Sequence, residues 1–493
     1  MDKYDIIKGI LGDNVREELK EYYYYDKKIY CCDINLKSMY ENVEVYDFLK
    51  PINHLANYYK DTNSDYYSQL GRKYENYTFT TPLYIQEFSN NYYDLDEIAL
   101  EYVKCFSNLS LLLIWPIANI TSNDDLQKSD FYSHLSKNGT IHIIKELTLT
   151  RKQIQGAIYQ IYYDKSGFKD INSIKGKQQK GKADNQQNKI FLIYYQANNF
   201  DDISGKDAPL KLELRNILKK NTSEADNIKL NFFLHITDNH TQLVELTQLF
   251  CNKNSLRLLQ YQRLDRVLNK SMDKSHIMFM TFKKWLYQNI EPIDHIRFMN
   301  FSSIVLYSLG LREMNDLDLI IMDKPQPATT NNFFEKIYFF FEDPLTNFKF
   351  IELQMKGHGE WFEGGKKEYM IQWFEKDWPE LFGARSLDDA IINPKFHYYY
   401  FGIKIISMIA DIKRRIKRSR AAAYTDLIAI CKFTNQKIDI PKIPEGYWQN
   451  QTYTVYNEKE ISILIKKIIW YLRSRYSLNL SADEIRSYLK IID

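Results

Sequence analysis

Glycine is scarce in this chain, at 17 of 493 residues, and proline scarcer still, at 12. The phosphate-cradling loop G-x-x-x-x-G-K-[ST] is missing, and the nearest approach to it, Ser204-Gly205-Lys206, lacks its spacing. Cysteine is limited to Cys31, Cys32, Cys105, Cys251 and Cys431, none at metal-ligand spacing. The adjacent Cys31-Cys32 pair does not suit a structural disulfide, so a reducing compartment is expected. Long apolar runs are also lacking: Leu109 to Ile117 is the most apolar stretch and is too short for a bilayer. The opening MDKYDIIKGILGDN is charged and has no signal-peptide core. Together these absences point to the cytoplasm, or a host's cytoplasm if the gene is viral. A formal charge of only +3 requires any nucleic-acid contact to come from local patches.

Aromatics are plentiful, with 39 Tyr and 28 Phe beside many Lys, Asn and Ile, a bias that suits an AT-rich genome such as that of a large DNA virus. Hydrophobic residues at 44% and charged residues at 26% describe an ordinary globular protein, and 493 residues allow two to four domains. The patterns predict an α/β multidomain protein. Its parts are an N-terminal α/β domain over 1–255, a small mixed-sheet domain over 256–393 and a helical domain over 394–493.

Taken in order, residues 1–33 read as helical, and Leu109 to Ile120 as a buried strand or short core helix. Gly139 to Thr150 alternates like a strand pair or one long strand, and Arg151 to Tyr163 follows as a helix. Lys165 to Lys189 loses all periodicity and reads as a solvated basic loop. Ile190 to Gln196, an amphipathic helix ending near Lys220, and Leu230 to Thr237 form a strand–helix–strand unit, expected to be a right-handed βαβ crossover. A phosphate site at its carboxyl end would fall on Ser204-Gly205-Lys206, although Asp207 as cap and Pro209 in the first turn explain most of that stretch structurally. Pro394 to Ile430 is expected to be mostly helical. Ser481-Ala482-Asp483-Glu484 has capping-box spacing and opens a last helix.

The chain is organised around Phe301 to Asp323, FSSIVLYSLGLREMNDLDLIIMD. It reads as a helical turn, a glycine corner and a strand carrying Asp316 and Asp318. Residues two apart on a strand share a face, so both carboxylates project together while Leu317, Leu319 and Ile321 turn to an apolar layer. Such a pair repels itself unless a cation intervenes, and its oxygen ligands suit magnesium or manganese. Phe348 to Lys356, FKFIELQMK, reads as the second strand of a hairpin begun at Ile337 to Glu342, and it brings Glu352 to the same site. Three carboxylates can hold two metal ions, one activating a hydroxyl and one steadying a leaving pyrophosphate.

Ser302-Ser303, Leu306, Gly310, Arg312 and Asp316-x-Asp318, with Glu352 beyond, resemble the core motif of the DNA polymerase β-like nucleotidyltransferase superfamily, in its Gly-Gly-x-Ala-Leu, Gly-x-Arg, Asp-x-Asp form. The resemblance covers about 293–356. Ser302-Ser303 stand where that pattern has Gly-Gly or Gly-Ser, residues that let backbone amides approach a triphosphate. It implies metal ligation and catalysis by Asp316, Asp318 and Glu352, and NTP contacts from Ser302, Ser303 and Arg312. Lys404, on what reads as an inward-facing helix, is a further triphosphate candidate. The expected activity moves a nucleoside monophosphate from an NTP to a hydroxyl acceptor. The rival expectations are a catalytically degenerate copy of that fold serving as nucleic-acid binder or scaffold, and a phosphate-handling first half. Lys413, Arg414, Arg415, Lys417, Arg418 and Arg420 are expected mostly to face solvent, as a helix end or as a patch for RNA or another nucleic acid. Of the Gly357 to Lys367 glycine cluster, a ligand-shaped loop and a surface loop are equally good readings.

Overall fold

In the computed structural model the described residues are 47–60, 64–87, 92–163, 188–205, 208–220, 229–269, 272–289, 295, 298–314, 317–321, 351–355, 360–363, 366–369, 384–418, 421–435 and 458–489. The expected N-terminal helix, nearly all of the basic loop, Lys206-Asp207, Asp316 and Ile337 to Glu342 lie outside them. The chain is mixed α/β, and the described strands form two five-stranded sheets and a separate hairpin.

The first half runs α1 (Lys50–Tyr58), α2 (Tyr66–Tyr74), β1 (Leu83–Gln86), α3 (Tyr92–Lys104), β2 (Ser110–Ile114), β3 (Gly139–Leu149), α4 (Arg151–Tyr162), β4 (Asn188–Ala197), α5 (Pro209–Lys220), β5 (Leu234–Ile236) and α6 (His240–Phe250). Strand order is β1-β3-β4-β2-β5, with β1 parallel to β3 and every other pairing antiparallel. Both faces are apolar, which is why these strands read as unbroken hydrophobic runs. Leu111, Leu113, Leu192 and Tyr194 enter one core, while Leu112, Ile114, Phe191 and Ile193 enter another beneath Leu210, Leu214 and Leu218 of α5. Thr150 caps α4 in a capping box with Gln153.

The expected βαβ unit takes a different form. β4 and β5 each pair antiparallel with β2, so they run parallel to each other with β2 between them. Nothing in the local sequence of 188–236 records a strand delivered from 110–114.

The second half contains α7 (Lys253–Tyr261), α8 (Asp273–Asn289), β6 (Phe298–Phe301), α9 (Ser303–Ser308), β7 (Leu317–Ile321), β8 (Ile351–Met355), β9 (Glu360–Glu363), β10 (Lys366–Tyr369), β11 (His397–Tyr400), β12 (Ile403–Ile406), α10 (Met408–Arg418), α11 (Ala421–Thr434), α12 (Glu458–Tyr476) and α13 (Ala482–Leu489). The main sheet is ordered β11-β12-β6-β7-β8, and β9-β10 pair alone over the glycine-rich stretch. One apolar cluster joins the two halves, running from Phe48 and Ile143 through Phe301 and Leu317 to Ile485 and Leu489.

Residues 397–406 correct the helical expectation for Pro394 to Ile430. They form an antiparallel hairpin closed by Phe401-Gly402, both at positive φ (47° and 78°), the pattern of a type I′ turn. Aromatic and β-branched residues on either side of a Phe-Gly pair carry that signal, and it outweighs the helical periodicity downstream. Gly402 is needed twice over, because a Cβ there would meet Glu245 Cγ and Tyr287 Oη at 2.9 Å each. The hairpin completes the sheet of β6, β7 and β8, so the boundary expected at 393 falls within one sheet.

Candidate functional site

The motif residues assemble at one end of the second sheet. Phe301 pairs with Asp318 across β6 and β7, and Asp318 pairs with Glu352 across β7 and β8. A single row of the sheet therefore brings the last residue of β6, one aspartate and the glutamate onto neighbouring strands, spaced about 4.8 Å apart. The expected second strand lands in that register, parallel to β7.

Directly after Phe301, Ser302 turns the chain from β6 into α9 with φ 70° and ψ −116°. This is backbone space that glycine visits freely and a side-chain-bearing residue does not, and holding serine there costs on the order of 1–3 kcal/mol. The expected motif has glycine at this position, and Ser302 takes up a glycine-like conformation here. No side-chain cap offsets the strain. Arg415 supplies the restraint instead, its Nη2 donating to the Ser302 carbonyl at 2.8 Å. Ser303 is buried in the first turn of α9. At the far end of α9, Gly310 (φ 73°) makes the corner, where a Cβ would come within 2.6 Å of the Arg263 carbonyl. Ser302→Gly should accordingly stabilise the protein by about 1 kcal/mol, the strain relieved less the extra entropy of glycine in the unfolded chain. Urea unfolding reads this directly, and a midpoint at or below wild type would exclude a strained turn.

A buried charge network stands behind the turn. Asp411 accepts Arg414 Nε and Nη2 on one oxygen (2.9 and 2.7 Å) and Arg415 Nε on the other (2.6 Å). Arg415 Nη1 reaches Asp426, which also accepts the Tyr476 hydroxyl and lies 3.4 Å from Arg312 Nε. Burial opposes the Asp411 charge, but the Arg415 and Arg414 guanidinium groups outweigh it and hold the carboxyl below its usual range. Arg414 also lies 5.2 Å from the Phe301 ring centroid, beside the row that holds Asp318.

This corrects the solvent-facing placement of the basic segment. Lys413 is exposed, but Arg414 and Arg415 are almost wholly buried. Arg420 and the side chains of Lys417 and Arg418 lie outside the described set. The i, i+3, i+4 spacing of Asp411, Arg414 and Arg415 was a legible pairing signal. The partners from farther along the chain, Asp426 and Tyr476, left none.

Lys404 sits elsewhere, on strand β12 rather than a helix. Its Nζ donates to the Ile391 carbonyl at 3.1 Å, within a buried group containing Glu97, Glu101 and Lys104 of α3, Tyr67 of α2 and His397 of β11. Among the described residues, Glu101 Oε2 and both ring nitrogens of His397 have no hydrogen-bond partner. Burial, then the Lys104 charge, pushes Lys404 down to about 7, against the pull of Glu97 and Glu101. Burial and Glu101 push Glu97 up to about 7, so for both groups desolvation exceeds mutual attraction.

Because its folded pKa lies below the unfolded value, Lys404 makes the folded protein bind fewer protons than the unfolded chain between about pH 7 and 10.5. Stability should rise with pH across that window, and Lys404→Met should remove this part of the slope. Its advantage over wild type would be greatest near pH 7 and fade toward pH 10. Parallel stability curves for the two proteins would rule out a strongly depressed Lys404.

Among the described side chains, which exclude those of Asp316, Asp318 and Glu352, no group of three or more His, Cys, Asp or Glu residues is placed to hold a metal. Among the described residues, no helix is long and apolar enough to cross a membrane. No family model, curated protein or solved structure matches the chain.

Proposed function

We propose that this chain is a metal-dependent nucleotidyltransferase that moves a nucleoside monophosphate from an NTP to a hydroxyl acceptor. The observation that carries the reading is the row Phe301–Asp318–Glu352, with the glycine-like Ser302 turn at its edge. Asp318 and Glu352 as register partners fit a cation held between adjacent strands, with Asp316 two residues away in sequence as the third carboxylate. Bound magnesium or manganese would lower the charge barrier on the attacked phosphate and on the departing oxygen. The chain's own residues provide the rest. Glu352 receives the proton of the acceptor hydroxyl, whose oxygen bonds to the α-phosphorus as the bond to the β-phosphate oxygen breaks and pyrophosphate leaves. Ser302 and Ser303 present the turn to the triphosphate. Arg312 lies behind that turn beside Asp426. Lys404 takes no part, because its amine is committed to the Ile391 carbonyl.

Ser302 also favours a second reading, a silent copy of the fold, since its side chain occupies the place where a triphosphate would press against backbone. Incubation of the purified protein with each labelled NTP, magnesium or manganese, and a mixed acceptor pool separates the two. Transfer of label with release of pyrophosphate supports the enzyme. Absence of both, with no calorimetric heat for a non-hydrolysable NTP, supports the silent copy.

A further inference from the structure

Helix α12 has one face in the core and another that is exposed and that none of the described residues covers. Leu464, Ile465, Ile468, Leu472 and Tyr476 are buried. Opposite them, Ile463, Lys466, Lys467, Trp470, Arg473 and Ser474 follow i, i+3, i+4, i+7, i+10, i+11 spacing, and all are exposed. Trp470 is 62% exposed and Ile463 46%, the former among the least covered large apolar side chains described. From Ile461 to Tyr476 the helix carries four cations and no carboxylate. The nearest acids on α13 are engaged locally, Asp483 with Arg486 at 3.2 Å and Glu484 capping Ser481 at 2.8 Å. Tyr471 meets Trp470 edge-on at 5.0 Å, and Arg475 lies 4.4 Å from the Tyr471 ring centroid.

We propose that this outer face of α12 binds single-stranded nucleic acid, with Trp470 as the stacking platform and Lys466, Lys467 and Arg473 on the backbone phosphates. Cations interleaved with a flat, exposed aromatic are the chemistry of a sequence-tolerant strand groove. A membrane-surface helix needs a broad apolar face set apart from its cations, and here the broad apolar face is already spent on the protein core. The stripe spans about 16 Å at helical rise. The site stands apart from the nucleotidyltransferase reading, because it requires neither metal nor NTP.

Fluorescence anisotropy of the full chain with labelled oligo(dT) and oligo(rU), without NTP or metal, tests it. Wild type should bind both. Trp470→Ala should weaken binding about five- to a hundredfold. The triple change Lys466→Gln, Lys467→Gln and Arg473→Gln should flatten the logarithmic salt dependence by about two. All these side chains are exposed, so thermal midpoints should stay at the wild-type value and exclude unfolding as the cause. Failure of the wild type to bind either oligonucleotide overturns the proposal. Binding indifferent to either variant, or binding to phosphatidylserine vesicles in place of oligonucleotides, overturns it equally. A protein that binds oligonucleotides through α12 but transfers no label would retain this site and lose the enzymatic reading.

Discussion

Arg415→Met should lower stability by about 3–5 kcal/mol, the cost of removing one partner from a buried ion network and leaving the others uncompensated. Asp411, wholly buried, would lose one of its two described guanidinium partners, and Asp426 would keep, among the described residues, Tyr476 and Arg312. The Ser302 carbonyl would lose the donor that holds its strained turn. Arg415→Lys keeps the charge but cannot serve Asp411, Asp426 and Ser302 together, since an ammonium lacks the planar fork, so it should recover only part of the loss. Because the same residue restrains Ser302, the effects of Ser302→Gly and Arg415→Met should not add, and a double-mutant cycle should show coupling of at least about 0.5 kcal/mol. Denaturant unfolding of the four proteins measures both quantities. A loss below 1 kcal/mol for Arg415→Met would mean that the network is hydrated and contributes little.

The second large effect concerns activity. On the proposed function, Asp318→Asn should abolish nucleotidyl transfer, with a fall on the order of 10³-fold or more, because a metal ligand would contribute several kcal/mol of charge stabilisation to the transition state. Without metal, the thermal midpoint should stay level or rise slightly, since one of the two acidic residues at the register-paired positions 318 and 352 loses its charge. Single-turnover transfer assays beside a melting curve give the two readouts. A variant with full activity would remove Asp318 from the site, whereas loss of both activity and stability would make Asp318 a structural residue.

Much of the candidate site was legible because its signals are local. Alternation of Leu317, Leu319 and Ile321 against Asp318 reports a strand from five neighbouring residues, and the structure has it at Leu317–Ile321. The strand expected around Glu352 is likewise present at Ile351–Met355. Ser481 and Glu484 announced the last helix, and their side chains do close its capping box. The helix at Pro209–Lys220 and the strand at Asn188–Ala197 were equally readable. The 397–406 hairpin departs from the expected helix for a different reason. Its own signal, Phe401-Gly402, spans two residues, whereas helical periodicity fills most of the rest of Pro394 to Ile430.

The sequence by itself thus determined the type of most elements, since propensity, periodicity and capping act over a few residues. It also placed Asp318 and Glu352 on strands. Only the tertiary structure decided which strands lie side by side, setting β2 between β4 and β5 and β12 beside β6. It also decided the fate of charge. Arg414 and Arg415 look solvated from their own neighbourhood and are buried because Asp426 and Tyr476, brought in by two later helices, complete their partners. Burial brings Lys404 down to about 7, and a helix some 300 residues earlier in the chain supplies both Lys104, which adds to that fall, and Glu97 and Glu101, which oppose it. The reason is physical: a helix or strand answers to its nearest neighbours, whereas burial of a charge depends on counter-ions that any part of the chain can supply.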